Sequence, residues 1–429
     1  MFTKQTIRDI NLKGKTVLLR ADYNVPLKDG KITDDYRITQ SLPTLRYILD
    51  QGAKLVICSH LGRPGGQPDP ALSLFPVAKR LQKLLDHPVE FATDAVGDSA
   101  KKAVKGMKKG DVVLLENIRF YPGEEANDQT FAKQLASLAD IFVQDAFGVV
   151  HHAAVSVSEL PKYLPGAAGF LVEKEMDILT GVMQDPQRPL MAIVGGAKIA
   201  DKLEVMHRFI ELADIVAVGG AMANTFLVAQ GHNVAASLYD KAEVAVAKGL
   251  LRTAAVEAKK RPFVFAIPHD FVVAEQIDKT ASTRIVEFTT HTMADIEHYP
   301  GRVPAEASKL YAHEKILDIG PFSASFIAGA VQLANTVVWS GTMGVTETPG
   351  LQGPVGPTAH GTQTVVEAML GEYGHKPFSV VGGGDTVGYV QSRKLTDSFN
   401  HVSTGGSASL EVLAGHKMPG VEALRDKVQ

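Results

Sequence analysis

Four short segments place polar side chains directly after apolar runs. "RADYNVPL" (20–27) offers Asp22 and Asn24, "DDYRI" (34–38) offers Arg37, "SHLGR" (59–63) offers His60 and Arg63, and "ENIRF" (116–120) offers Arg119. A guanidinium presents a fork of donors that matches carboxylate or phosphate. Taken singly, each of these reads better as a surface arginine or an ordinary cap. Taken together, they stand at the tips of successive strands, where an open parallel sheet binds ligands. Several arginines around one spot suit a small, doubly anionic molecule.

A second set lies further along. "VGGAKIADK" (194–202), "VGGAMANTF" (218–226) and "VVGGGDTVGYV" (380–390) each leave a strand, turn on glycines and enter a helix. Glycine lets backbone approach phosphate oxygens, and a helix start favours negative charge. The first loop carries Lys198 and Lys202, whose spacing of four predicts a shared helix face. The third carries Asp385 and Thr386 at a helix start, with Asp385 either an N-cap or a Mg2+ ligand. A tight βα turn explains any one loop. Three in one region, with two lysines and an aspartate, point to a nucleoside triphosphate and its metal.

Common alternatives fail on spacing. "GKT" (14–16) has Asp9 where a Walker loop needs its first glycine, and it precedes a strand. No complete G-x-G-x-x-G, HExxH or CxxC occurs, nor the H-R-D and D-F-G pair of protein kinases. The adjacent His151 and His152 lack metal-ligand spacing.

The elements that must position these residues are short apolar runs: 16–20, 54–59, 112–116 and 141–147, then 190–196, 214–220, 263–268, 336–341, 378–384 and 401–406. They are continuous rather than alternating, as strands buried on both faces are, and helix-forming stretches separate them. Strand, helix, strand, repeated, predicts an α/β protein with parallel sheets flanked by helices. At 429 residues the chain exceeds one ordinary core. The break falls in "GFLVEKEMDILTGVMQDPQRP" (169–189), a helix that Gly181 and the "DPQRP" loop bring to an end. The expected division is 1–168, a connector 169–189, and 190–408.

With 44 Lys and Arg against 47 Asp and Glu, the formal net charge of -3 calls for neither nucleic acid nor an anionic membrane. No apolar run is long enough to span a bilayer, and the first residues carry no apolar leader segment. Cys58 is the sole cysteine, so no internal disulfide forms, which suits a reducing cytoplasm. Nothing marks an oligomer, so a monomer is expected.

These segments, with "DAFG", "DIGP", "VVWSGTMGV" and "HVSTGGSASLEVLAG", together resemble phosphoglycerate kinase along almost the full length. The resemblance implies two Rossmann-like domains joined by a hinge, with the tail 409–429 returning to the first. It implies a first domain for 3-phosphoglycerate or 1,3-bisphosphoglycerate and a second for ATP or ADP with Mg2+, the two closing to react. By position, Asp22, Tyr23, Asn24, Arg37, His60, Leu61, Gly62, Arg63, Arg119 and His152 match acyl-substrate residues. Gly196, Lys198, Lys202, Gly220, Glu347, Gly383, Gly384, Asp385 and Thr386 match nucleotide residues, with Asp385 on the metal and Glu347 on the ribose. Arg37, Lys198 and Lys202 match the groups that meet the transferred phosphoryl.

The chain also departs from the family pattern. His152 stands for a usual arginine, Ala154 for a histidine, Val149 for a threonine, Ser340 and Thr342 for Asn and Pro, Thr346 for Phe and Val228 for Lys. The leading expectation is a kinase acting on a carboxylate. The alternatives are a divergent relative with another acceptor or weak turnover, and a nucleotide-binding scaffold without chemistry. Retention of Arg37, Lys198, Lys202 and Asp385 argues against the scaffold.

Overall fold

A computed structural model describes residues 2–288, 309–351 and 353–427. The chain divides into two units, Met1–Gly181 with Gly415–Gln429, and Val182–Ala414. The helix Phe170–Gln184 runs across that division. Gly181 lies inside this helix rather than ending it, so the sequence reading of a stop there is corrected; one interior glycine costs a helix only about 1 kcal/mol. Of the returning tail, the last two residues, 428–429, lie outside the described residues.

The first unit is built on β1 (Thr16–Arg20), the small hairpin β2 (Leu27–Lys28) and β3 (Lys31–Ile32), β4 (Lys54–Cys58), β5 (Val89–Phe91), β6 (Val112–Leu114), β7 (Ile141–Gln144) and β8 (Gly166–Ala168). Six of them form one parallel sheet in the order β5-β6-β4-β1-β7-β8. Every residue of β1 is buried, because helices cover both faces; Val17, Leu19, Leu55 and Ile57 join the core with Ile38 and Leu45 of the helix Tyr36–Asp50. The chain order reverses at β1, between β4 and β7, so the carboxyl ends of these strands open a crevice.

The second unit holds β9 (Leu190–Val194), β10 (Ile215–Val218), β11 (Val264–Ala266), β12 (Asp270–Ala274), β13 (Arg284–Glu287), β14 (Lys315–Ile319), β15 (Thr336–Ser340), β16 (Phe378–Gly382) and β17 (His401–Val402). Its parallel sheet runs β11-β10-β9-β15-β16-β17, with the reversal at β9. A separate antiparallel sheet, β13-β12-β14, also stands here. The sequence reading of parallel sheets alone missed it. "RIVE" and "KILDI" carry charged residues and do not read as continuous apolar runs. No helix among the described residues is long and apolar enough to cross a membrane.

Candidate functional sites

In the first unit, the loops after β1, β4 and β6 are tied to one another. Arg37 lies in the first turn of the helix Tyr36–Asp50 and donates Nη1 to Asp22 Oδ2 at 2.8 Å and to the Asn24 carbonyl at 3.3 Å. Asn24 Oδ1 accepts from the Gly62 amide at 2.9 Å, and Arg119 Nη1 donates to the Gly62 carbonyl at 2.9 Å. Asn117 staples the arrangement: its Oδ1 accepts from the Arg119 amide, while its Nδ2 donates to the carbonyls of Leu61 and Leu72. Glu116 accepts from Ser73 and from the amides of Leu74 and Asn117. These bonds tie backbone groups of the three loops to side chains of their neighbours.

A cavity of about 320 Å³ opens beside this cluster, lined by Arg20, Arg63, Arg119, His152, Glu124 and Glu125. Arg63 and His152 are exposed. Tyr23 and Leu61, matched as substrate residues by position, are packed in the hydrophobic core. Burial disfavours the charge on Asp22, but the guanidinium groups of Arg37 and Arg20 are among the charges that outweigh it and hold the carboxyl below its usual range. Burial, reinforced by Arg20, drives His60 well below the ordinary imidazole range. Arg20 was not among the residues singled out from the sequence. The available signal was a charged residue closing a five-residue strand that is otherwise apolar or neutral.

In the second unit, Lys202 sits at the sheet's reversal point. Its ammonium donates to the carbonyl of Gly195, just past β9, and to that of Ser340, the last residue of β15, at 3.3 Å. Burial lowers its pKa to about 8, against the pull of Asp385 and Asp201. Lys198 is exposed and precedes the short 3-10 turn Ala200–Lys202. The regular helix starts only at Leu203, so the two lysines do not share a helix face as their spacing predicts. The tight turn after β9 displaces the helix start.

Asp385 is exposed in the first turn of the helix Gly384–Ser392, whose N-cap is Gly383 at φ 82°. The N-cap alternative for Asp385 is therefore excluded. Thr386 is fully buried, and its Oγ1 accepts from the Gly341 amide at 2.6 Å. Gly341 has φ 100°, and a Cβ there would meet the Gly195 carbonyl oxygen at 2.1 Å, so only glycine lets these strand ends close up. A cavity of about 580 Å³ is lined by Gly196, Gly220, Asp318, Thr342, Glu347 and Asp385. Glycine-walled, apolar in part, with the exposed carboxylates of Glu347 and Asp385 on its lining and the Lys202 ammonium close to Gly196, it can hold a phosphorylated ligand with its cation. A nucleotide-borne Mg2+ asks for only one or two protein carboxylates, and Asp385 makes no ion pair among the described residues.

Asp318, in the "DIGP" segment, is a further residue of this site that the sequence reading does not include. It is buried beside this cavity, and its carboxyl accepts from the amides of Ile319 at 2.9 Å and Gly361 at 2.8 Å. Burial pushes its pKa up to about 8, against those backbone donors. A Cβ on Gly344 would lie 2.4 Å from Asp318 Oδ1, so the wall of the cavity rests on this carboxyl.

Comparison with known proteins gives one answer. The phosphoglycerate kinase family model matches residues 7–416. The phosphoglycerate kinase of Dictyoglomus turgidum is 42% identical over 421 residues, covering 98% of each chain. That of Clostridium botulinum is 42% identical over 429 residues, covering 99% of this chain and 100% of the relative. Among solved structures, phosphoglycerate kinase from Coxiella burnetii superposes with a TM-score of 0.80 at 33% identity, covering 98% of each chain. That from Pyrococcus horikoshii gives 0.78 at 32% identity, covering 99% of this chain and 98% of its own.

Proposed function

The chain belongs to the phosphoglycerate kinase family, and from that premise we propose which of its residues do what. It is a phosphotransferase of glycolysis that moves a phosphoryl group reversibly between 1,3-bisphosphoglycerate and ADP, giving 3-phosphoglycerate and ATP. The observation that carries the residue assignment is the contrast between the two cavities: one walled by arginines, the other by glycines and Asp385, with Lys202 behind Gly196.

The arginine-lined cavity takes the acyl substrate. Arg63, Arg119 and His152 meet its phosphate, while Asp22, Asn24, Arg37 and His60 hold the reacting end; Tyr23, Leu61 and Gly62 contribute backbone only. The glycine-walled cavity takes the nucleotide. Gly196, Gly220, Gly383 and Gly384 let its phosphates approach the backbone, Thr386 braces that loop, and Glu347 binds the ribose. Asp385 holds Mg2+, which when bound screens the charge of the nucleotide phosphates.

The acceptor for ATP's γ-phosphoryl is a carboxylate, with an ordinary pKa near ~4, so it is ionised at pH 7 and needs no general base. The protein must instead cancel charge between two anions, align them and exclude water. Arg37, Lys198 and Lys202 supply the charge. Because the acyl substrate and the nucleotide belong to different units, turnover includes an approach of the two. The working form is taken as a cytoplasmic monomer.

A coupled assay of 1,3-bisphosphoglycerate with ADP and Mg2+, run beside 3-phosphoglycerate with ATP and Mg2+, tests this reading. Turnover in both directions is expected. Nucleotide binding without turnover in either direction would sink it.

A further inference from the structure

We propose that Arg20 is a positioning residue that locks His60 as the neutral tautomer with its proton on Nε2, so that His60 meets the acyl substrate as a hydrogen-bond donor of fixed charge. This rests on the reading that the first unit binds that substrate.

Arg20 closes β1 and is 2% exposed. A guanidinium taken out of water must have its donors satisfied. Its Nε donates to Ser156 Oγ at 2.8 Å, its Nη1 to the Ala21 carbonyl, and its Nη2 contacts His60 Nδ1 at 3.2 Å. Guanidinium has no acceptor atom, so in the last contact Nδ1 must offer a lone pair. The ring proton is then on Nε2.

The direction is set from further back. Ser156 Oγ accepts from Arg20 and its hydroxyl donates a hydrogen bond to Glu124 Oε1 at 2.6 Å; Glu124 Oε2 accepts from the Ser156 amide at 3.1 Å. Carboxylate, hydroxyl, guanidinium and imidazole thus form one chain in which each member can face only one way. The competing partner for Nδ1 is Asp22. Its Oδ1 lies 3.9 Å away, beyond hydrogen-bond reach, and its Oδ2 is taken by Arg37. The charged groups acting on the ring are Arg20, Asp22, Arg119 and Arg37, three cations against one anion, so a second proton is disfavoured. Nε2 makes no hydrogen bond to the described residues. It is a buried side chain's one remaining donor, placed among groups that bind an anion.

Nitrogen-15 NMR of the full chain, with His60→Gln for assignment, tests the lock directly. From about pH 5.5 to 8, the ligand-free protein should show a protonated Nε2 and a bare Nδ1, with no titration. A proton on Nδ1, or a midpoint in that range, would overturn the proposal. Arg20→Lys keeps the charge and loses the fork. It should mix the tautomers and raise KM for 3-phosphoglycerate roughly tenfold, the worth of one charge-assisted hydrogen bond, with KM for ATP unchanged. Wild-type His60 signals in this variant would remove Arg20 from the role. If Arg20→Lys does not fold, Ser156→Ala is the second variant: it frees the guanidinium from its anchor and should mix the same signals, while unchanged signals count against the chain. Calorimetry of 3-phosphoglycerate on the wild type separates the two layers. Absence of binding with the tautomer intact would fail the substrate reading and leave the lock standing.

Discussion

Lys202 donates to the backbone carbonyls of both Gly195 and Ser340, so its ammonium pins together the ends of two neighbouring parallel strands. The same charge is proposed to meet nucleotide phosphate, which must win it from those carbonyls. With a pKa of about 8, the free enzyme loses this proton just above neutrality. Nucleotide affinity should therefore weaken as pH rises from about 7 to 9, and Lys202→Arg should remove that decline because guanidinium stays charged. Calorimetric titration of ADP across the range reads it. A flat wild-type profile contradicts the assignment.

Arg37 is held by Asp22, and Lys198 stands exposed without a bond to a described side chain. Both are proposed to meet charge that accumulates only as the phosphoryl moves. Arg37→Ala and Lys198→Ala should lower kcat by about 100-fold or more, with KM changing far less. Steady-state kinetics in both directions decides. A raised KM with kcat intact would move either residue to a ground-state role.

Asp385→Ala should raise the Mg2+ concentration needed for half-maximal rate about tenfold or more while leaving 3-phosphoglycerate binding unchanged. Excess chelator should abolish turnover of the wild type. A metal titration with each substrate held saturating is the measurement.

His152 lines the arginine cavity where the family usually carries a bidentate fork. His152→Arg should tighten 3-phosphoglycerate binding by about tenfold, because two parallel donors replace a single ring nitrogen. Equal affinity in both forms would make position 152 a bystander.

Asp145 is buried at the end of β7. Its Oδ1 accepts from the amides of Leu171 and Val172 in the first turn of the helix Phe170–Gln184. Burial raises its pKa to about 7, against those donors and Thr44. The folded state thus binds a proton more tightly than the unfolded chain does. Its stabilising effect is complete below about pH 4 and is lost as pH rises through 7, at most about 4 kcal/mol. Asp145→Asn should flatten that part of the fall in Tm between pH 5 and 8. Thermal unfolding of both forms over this range tests it.

Much of this was legible in the residues themselves. The continuous apolar runs marked the central strands, and the polar tips after them marked both cavities. What escaped had a common cause. Strands β12 to β14 carry charges within them, and periodicity does not see register across a sheet. Lys198 and Lys202 were four apart, but a glycine turn and a 3-10 turn consumed the spacing. Arg20 and Asp318 act through partners distant in sequence, Ser156 and Gly361, so no local pattern announces them. Tyr23 and Leu61 matched by position yet point into the core, which only packing reveals.

Asn117 joins the loops that follow β4 and β6 and the segment before the helix Phe75–Leu85 through bonds to Leu61, Leu72 and Arg119. Evolutionary change in any one of these loops is consequently not a private matter for that loop. The bonds reach backbone groups, so a replacement at Leu72 or Arg119 that shifts its backbone is felt by the other loop through Asn117, and the free-energy effects of two such replacements should be non-additive. Natural variation around this cavity is thus expected to arrive in linked sets of replacements, with Asn117 itself the position least able to change alone.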